Sequence, residues 1–180
     1  ERIVIDAISG TSAGAMNAVV LADGLEKGGR QGARSALHKF WRAASESAAL
    51  SLIQRTPWDK LSGNWSLNNS PGYLLADLLT RVASPYELNP CNLNPLHDFL
   101  RDHVDFGVVQ SCSAVSLFIS ATNVRTGRVR VFTNHELSPD AVMASACLPN
   151  LFPAVQIDGQ AYWDGGYAGN PALHPLIYRC

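Results

Sequence analysis

The sequence predicts an α/β fold, a sheet flanked by helices, and three observations carry that prediction. Short β-branched apolar runs alternate with longer segments of helical period. The first such run passes into a helix through a glycine-bounded turn, and no internal repeat or low-complexity tract points to another architecture. The 180 residues are 47% apolar and 16% charged, enough for one domain with a real core and far from the make-up of a disordered chain.

The elements follow in order. Ile3 to Ile8 is β-branched and apolar and is closed by Ser9-Gly10, the pattern of a strand buried on both faces. Ser12 to Leu25 is rich in Ala, Leu and Val and predicts a helix, with Gly24, Gly28 and Gly29 as stop signals. A second helix is expected from Gly32 to about Ser47, where Ala33, Leu37, Phe40, Trp41 and Ala44 form one stripe. Between Ser51 and Pro71 the period fails, and Trp58 and Trp65 sit in a long irregular excursion that reads as a lipid-facing cover or a plain surface loop. Helices resume over Tyr73 to Val82 and from Asn94-Pro95 to His103, with Asn94 as N-cap and Pro95 at the first helical position. Ala114 to Thr122 and Arg128 to Thr133 read as strands joined through Asn123 to Gly127, and Pro139 to Ala146 as a short helix. Val155 to Ile157 and Ala161 to Trp163 flank an Asp158-Gly159 turn, a second hairpin that ends at Asp164-Gly165-Gly166.

Composition removes several classes of function. Fourteen Lys plus Arg stand against fifteen Asp plus Glu, and the net charge of −1 with no basic run argues against nucleic acid as a partner. Asp23, Glu26 and Lys27 end the longest apolar run, which is too short to cross a bilayer. Cys91, Cys112, Cys147 and Cys180 form no C-x-x-C and have no nearby His pair, so neither a zinc site nor a disulfide scaffold is expected. A reducing compartment fits that usage, with a cytoplasmic or peripheral membrane location. The low charged fraction predicts apolar patches that face a lipid-like partner or further chain. Because Arg2 to Ile5 already reads as the interior of a structured segment, the chain is expected to be part of a longer polypeptide.

The residues that carry chemistry begin with Gly10-Thr11-Ser12-Ala13-Gly14, a G-x-S-x-G pattern placed where a predicted strand passes into a predicted helix. Such a turn lifts a serine hydroxyl clear of the backbone, and Gly10 and Gly14 are expected to remove Cβ atoms that would collide there. The helix N-terminus offers unpaired amides to an oxyanion. A plain N-cap role for Ser12 is the competing reading; a phosphate-binding loop drops out because no G-x-x-x-x-G-K-[ST] or G-x-G-x-x-G is present. A serine nucleophile needs a base. Asp164 opens Asp164-Gly165-Gly166 straight after a predicted strand, where it either presents a carboxylate or merely initiates a turn. His174 follows, giving the Ser, Asp, His order of a triad, but His38, His97, His103 and His135 are as available. From the residues alone, a Ser-Asp pair and a Ser-Asp-His triad both stay open.

Three blocks then carry a family likeness: Gly10 to Ala18; Ala144-Ser145-Ala146-Cys147-Leu148-Pro149-Asn150-Leu151-Phe152-Pro153; and Asp164-Gly165-Gly166-Tyr167-Ala168-Gly169-Asn170-Pro171. In this order they resemble the bacterial branch of the patatin-like phospholipases. The resemblance implies an α/β-hydrolase-type sheet flanked by helices, cut at both ends, with residues 1–180 forming one partial catalytic domain. It implies a serine lipid acyl hydrolase working through a Ser-Asp dyad, with Ser12 as nucleophile, Asp164 as base, Gly10, Gly14, Gly165 and Gly166 as motif glycines, and no metal or other cofactor. The substrate would be a lipid or other acyl ester, with peripheral membrane contact. Members of that family carry a glycine-rich oxyanion loop with an Arg ahead of the nucleophile, which this chain begins too late to contain; Gly28-Gly29-Arg30 lies downstream and is no substitute. A Ser-His-Asp esterase, an acyltransferase and a non-catalytic lipid-contacting fragment are the alternatives.

Overall fold

A computed structural model describes residues 4–49, 57–63, 66, 70–89 and 93–179. The first predicted strand's residues 1–3, much of the 51–71 excursion including Trp65, and Cys91 and Cys180 lie outside them. The elements run β1 (Ala7–Gly10), α1 (Ala13–Ala49), α2 (Pro57–Leu61), α3 (Pro71–Val82), α4 (Pro85–Leu88), α5 (Pro95–His103), α6 (Phe106–Ser111), β2 (Ser116–Asn123), β3 (Val129–Thr133), α7 (Pro139–Ser145), β4 (Val155–Ile157), β5 (Gln160–Asp164) and α8 (His174–Arg179).

The strands make one mixed sheet flanked by helices, as predicted. β2 is its template. It pairs parallel with β1, antiparallel with β3 and antiparallel with β5, and β5 pairs antiparallel with β4 across the Asp158-Gly159 turn. Alternation along β2 gives it two unlike faces: Leu117, Ile119 and Ala121 are fully buried in the hydrophobic core, whereas Ser120 and Thr122 are buried hydroxyls on the other face. The core joins the first face to Ala15, Met16, Val19 and Val20 of α1 and to Ala141 through Ala144 of α7.

The first strand is shorter than expected. Val4 is 78% exposed and Ile5 50%, because pairing with β2 begins only at Ala7 and, among the described residues, β1 has a neighbour on one side only. The two predicted helices exist as the arms of α1, and the chain reverses at Gly28 and Gly29, the latter at φ 58°. Trp41 Nε1 of the second arm donates to Asn17 Oδ1 of the first at 2.7 Å, which a straight helix would not permit. Gly24 is no stop signal. It continues the first arm because the arms touch there backbone to backbone: a Cβ on Gly24 would lie 2.7 Å from Ala36 Cβ, and one on Gly32 would lie 2.1 Å from Gly24 O. The predicted irregular excursion contains the helical turn α2.

Caps read from the sequence are in place at α5, where Asn94 Oδ1 accepts the His97 amide at 3.3 Å with Pro95 next in line. The structure adds a tie that no local pattern announced. Asn134 accepts the Leu117 amide at 2.7 Å through Oδ1, while its Nδ2 faces the carbonyls of Val115 (3.1 Å), Cys112 (3.4 Å) and Val109 (3.5 Å). One side chain thus holds the end of α6 and the following loop against the start of β2. Asn134→Ala leaves those groups unpaired, and denaturant titration should show a loss of about 2–3 kcal/mol with the cooperative transition retained.

Candidate active site

Ser12 sits on the turn between β1 and α1 with φ 56°. Among the described residues only Ser12 and Asp158 combine a side chain with a positive φ, and Asp158 is accounted for by its hairpin turn. A serine held there stores of order 1–3 kcal/mol of backbone strain, which the surroundings must impose. They do so through the amide of Ser12, which donates to both the carbonyl (3.1 Å) and the hydroxyl (3.0 Å) of Ser145 at the end of α7. Next to it, the hydroxyls of Thr11 and Ser120 share a hydrogen bond. A Cβ on Gly10 would come within 2.6 Å of Gly14 O, so Gly10 lets the helix start close over the strand end. Gly14 departs from expectation, since a Cβ there would meet nothing within 4 Å; the crowding lies at its carbonyl. The amides of Gly14, Ala15 and Met16 are spent on the carbonyls of Thr11 and Ser12, while that of Ala13 has no partner among the described residues.

The second reversal is built around Asp164, which is buried at the end of β5. Its amide donates to Cys147 O at 2.8 Å, its carbonyl accepts the Thr122 hydroxyl at 2.8 Å, and its Oδ1 accepts the Gly166 amide at 2.7 Å. Gly165 lies flat on β2: a Cβ there would be 2.2 Å from Ser120 O and 2.9 Å from the Thr11 methyl. A Cβ on Gly166 would stand 3.0 Å from Asp164 Oδ1.

Strand pairing explains why these two turns meet. At Ile119, β2 is flanked by Phe132 of β3 and Gly10 of β1; at Ala121 it is flanked by Arg130 of β3 and Asp164 of β5. With β3 on one edge throughout, β1 and β5 share the other. They run toward each other and stop two positions apart, about 7 Å along β2 at the usual rise. The Thr11 contact of Gly165 lies in the gap. Segment 145–147 braces both turns at once, Ser145 through the Ser12 amide and Cys147 through the Asp164 amide. Burial, with the Asp164 carboxylate adding to it, pushes the Cys147 thiol up to about 11, so it remains a neutral donor to Pro153 O at 3.2 Å.

The histidines divide differently. His97 lies 3.3 Å from Asp140 and 3.6 Å from Asp98, tying α5 to α7. His103 bonds Phe99 O and stacks on the Phe99 ring. His38, His135 and His174 are exposed, the last at the first position of α8. No cluster of three or more His, Cys, Asp or Glu among the described residues is arranged for a metal ion. Sequence reasoning passed over Thr11, Ser120, Thr122 and Ser145 as supports. For Ser120 and Thr122 the one signal was small hydroxyl residues interleaved with aliphatic ones along the predicted Ala114 to Thr122 strand; Thr11 and Ser145 gave none.

A family model described as patatin-like phospholipase matches residues 1–177. No curated protein matches the chain.

Proposed function

The chain belongs to the patatin-like phospholipases, a family of lipid acyl hydrolases, and from that premise we propose that it cleaves fatty-acyl esters of phospholipids or related lipids with Ser12 as nucleophile and Asp164 as base. The observation that carries this reading is the head-on approach of β1 and β5 along one edge of β2, which brings a strained serine turn and a buried carboxylate to one place.

In the first half-reaction Asp164 takes the Ser12 proton as Oγ attacks the ester carbonyl carbon. The tetrahedral intermediate collapses, the C–O bond to the alcohol breaks, and Asp164 returns the proton to the departing lysolipid or glycerol oxygen. Water then attacks the acyl-serine, gives its proton to Asp164, and releases the fatty acid as Ser12 is reprotonated. The free amide of Ala13, next after the nucleophile at the positive end of a helix, is the donor at hand for the developing oxyanion. A carboxylate is a weak base for an alcohol, and the burial of Asp164 supplies the water-poor surroundings that strengthen its hydrogen bond in the transition state.

A fluorophosphonate probe tests the nucleophile directly. It should label the intact protein at a single site, with the mass increment on the peptide that contains Ser12, and prior denaturation should abolish labelling. Absence of label at Ser12 in folded protein would reduce that residue to a helix cap.

A further inference from the structure

The helices between α1 and α5 turn apolar side chains to solvent. Along α3, Leu74, Leu78 and Val82 recur at i, i+4 and i+8 and are 54%, 58% and 76% exposed, with Leu79 exposed beside them. An amphipathic helix of a globular domain ordinarily buries such a stripe. Trp58 and Leu61 of α2 and Tyr86 and Leu88 of α4 are exposed as well. The stretch is also poor in charge: from Leu61 to Leu96 the sequence holds only Asp77, Arg81 and Glu87.

We propose that this face docks on a neutral, zwitterionic lipid surface, with the α3 stripe and Trp58 entering the interfacial region. The inference rests on the lipid-hydrolase reading above and names how the same site reaches its substrate. Two features join the face to the site. The Tyr86 hydroxyl accepts the Ala154 amide at 3.2 Å, fastening α4 to the entry of β4. Leu148 and Leu151 are exposed in the turn that leaves Cys147, the residue whose carbonyl holds the Asp164 amide. Exposed apolar groups therefore occur both on the α2 to α4 helices and in the turn beside the segment that braces Asp164.

The chemistry of the face selects the occupant. Leucines flanked by Trp and Tyr suit the boundary between headgroups and acyl chains. A protein partner would ask for direct hydrogen bonds at about one per 100–200 Å², which leucine and valine side chains cannot supply. Interfacial helices that seek anionic lipid carry Lys and Arg on their polar face; three charges summing to −1 give no such attraction. Binding should accordingly be driven by apolar burial and be indifferent to salt.

The test is co-sedimentation with phosphatidylcholine vesicles at low and high salt, beside hydrolysis of a dissolved short-chain ester. The chain should pellet with vesicles equally at both salts. Leu78→Asp, at an exposed position, should lose about tenfold or more in partitioning while hydrolysing the dissolved ester at the unaltered rate. Trp58→Phe should remove the vesicle-induced blue shift of tryptophan emission. Unchanged partitioning of Leu78→Asp, or no partitioning of the parent chain, would overturn the proposal. So would break-up of a lipid-free oligomer by Leu78→Asp, which would assign the face to a second copy. A chain that docks but leaves the dissolved ester intact would remove the catalytic reading and keep the docking surface.

Discussion

Asp164→Asn should lower kcat for a soluble ester by about 10³-fold or more, and Ser12→Ala by at least as much, with melting midpoints close to that of the parent. The asparagine is nearly isosteric. It keeps an oxygen for the Gly166 amide, and the Cys147 and Thr122 contacts involve only the backbone of residue 164, so the change removes the base and little else. His174→Ala should stay within a few-fold of the parent, because His174 is exposed on α8 and takes no part in bracing either turn. The measurement is steady-state hydrolysis by the three variants on one substrate, each checked for a cooperative melt. A folded but inactive His174→Ala protein would replace the dyad with a triad. An Asp164→Asn protein with more than a tenth of the activity would move the base elsewhere.

The four motif glycines should separate by stability, and the order is unequal in a way their shared motif does not suggest. Gly165→Ala places a Cβ 2.2 Å from the Ser120 carbonyl, and Gly10→Ala places one 2.6 Å from the Gly14 carbonyl. Both neighbours are backbone and cannot step aside without disturbing the β2 pairing or the helix start, so each change should cost about 3 kcal/mol or more and much of the soluble yield. Gly166→Ala presses a methyl to 3.0 Å from Asp164 Oδ1 and should damage turnover more than stability. Gly14→Ala meets open space in the first turn of a helix and should be neutral or stabilising by up to about 1 kcal/mol. Chemical denaturation of all four, read together with turnover, checks the ranking. A Gly165→Ala protein as stable as the parent would mean that the β5 turn does not rest on β2 as described.

What could be read in advance was chemistry confined to a few neighbouring residues. Asn94-Pro95, Asp158-Gly159 and the Gly10 to Gly14 turn declare themselves because a cap, a hairpin turn and a sharp strand exit each depend on local side chains and local φ. Gly24 misled for the same reason: a glycine within an Ala-rich run is a stop signal by propensity, and only the return of the chain at Gly28-Gly29 reveals that it serves contact between arms. The Ile3 to Ile8 run was over-read because apolar character says nothing about where a pairing partner begins. Asn134 gave no warning, since its four contacts lie in α6, the following loop and β2. Ser12 and Asp164 were each distinguished by their own turns. Their pairing was an expectation from the order of motifs and the resemblance, but how the two turns meet was not legible, because it depends on the register of two strands against a third.

The template role of β2 also has a kinetic meaning. More than a hundred residues of chain, from Gly10 to Ser116, separate β1 from β2, and β5 enters only after β3, α7 and β4 have been passed. Closing such long loops is slow relative to forming hairpins and helices. In refolding from denaturant, helical signal should therefore return early, from α1 and its neighbours, while turnover returns with the last phase, when both ends of the chain have reached β2. Under the proposed function, the return of turnover would be a clock for the completion of the sheet.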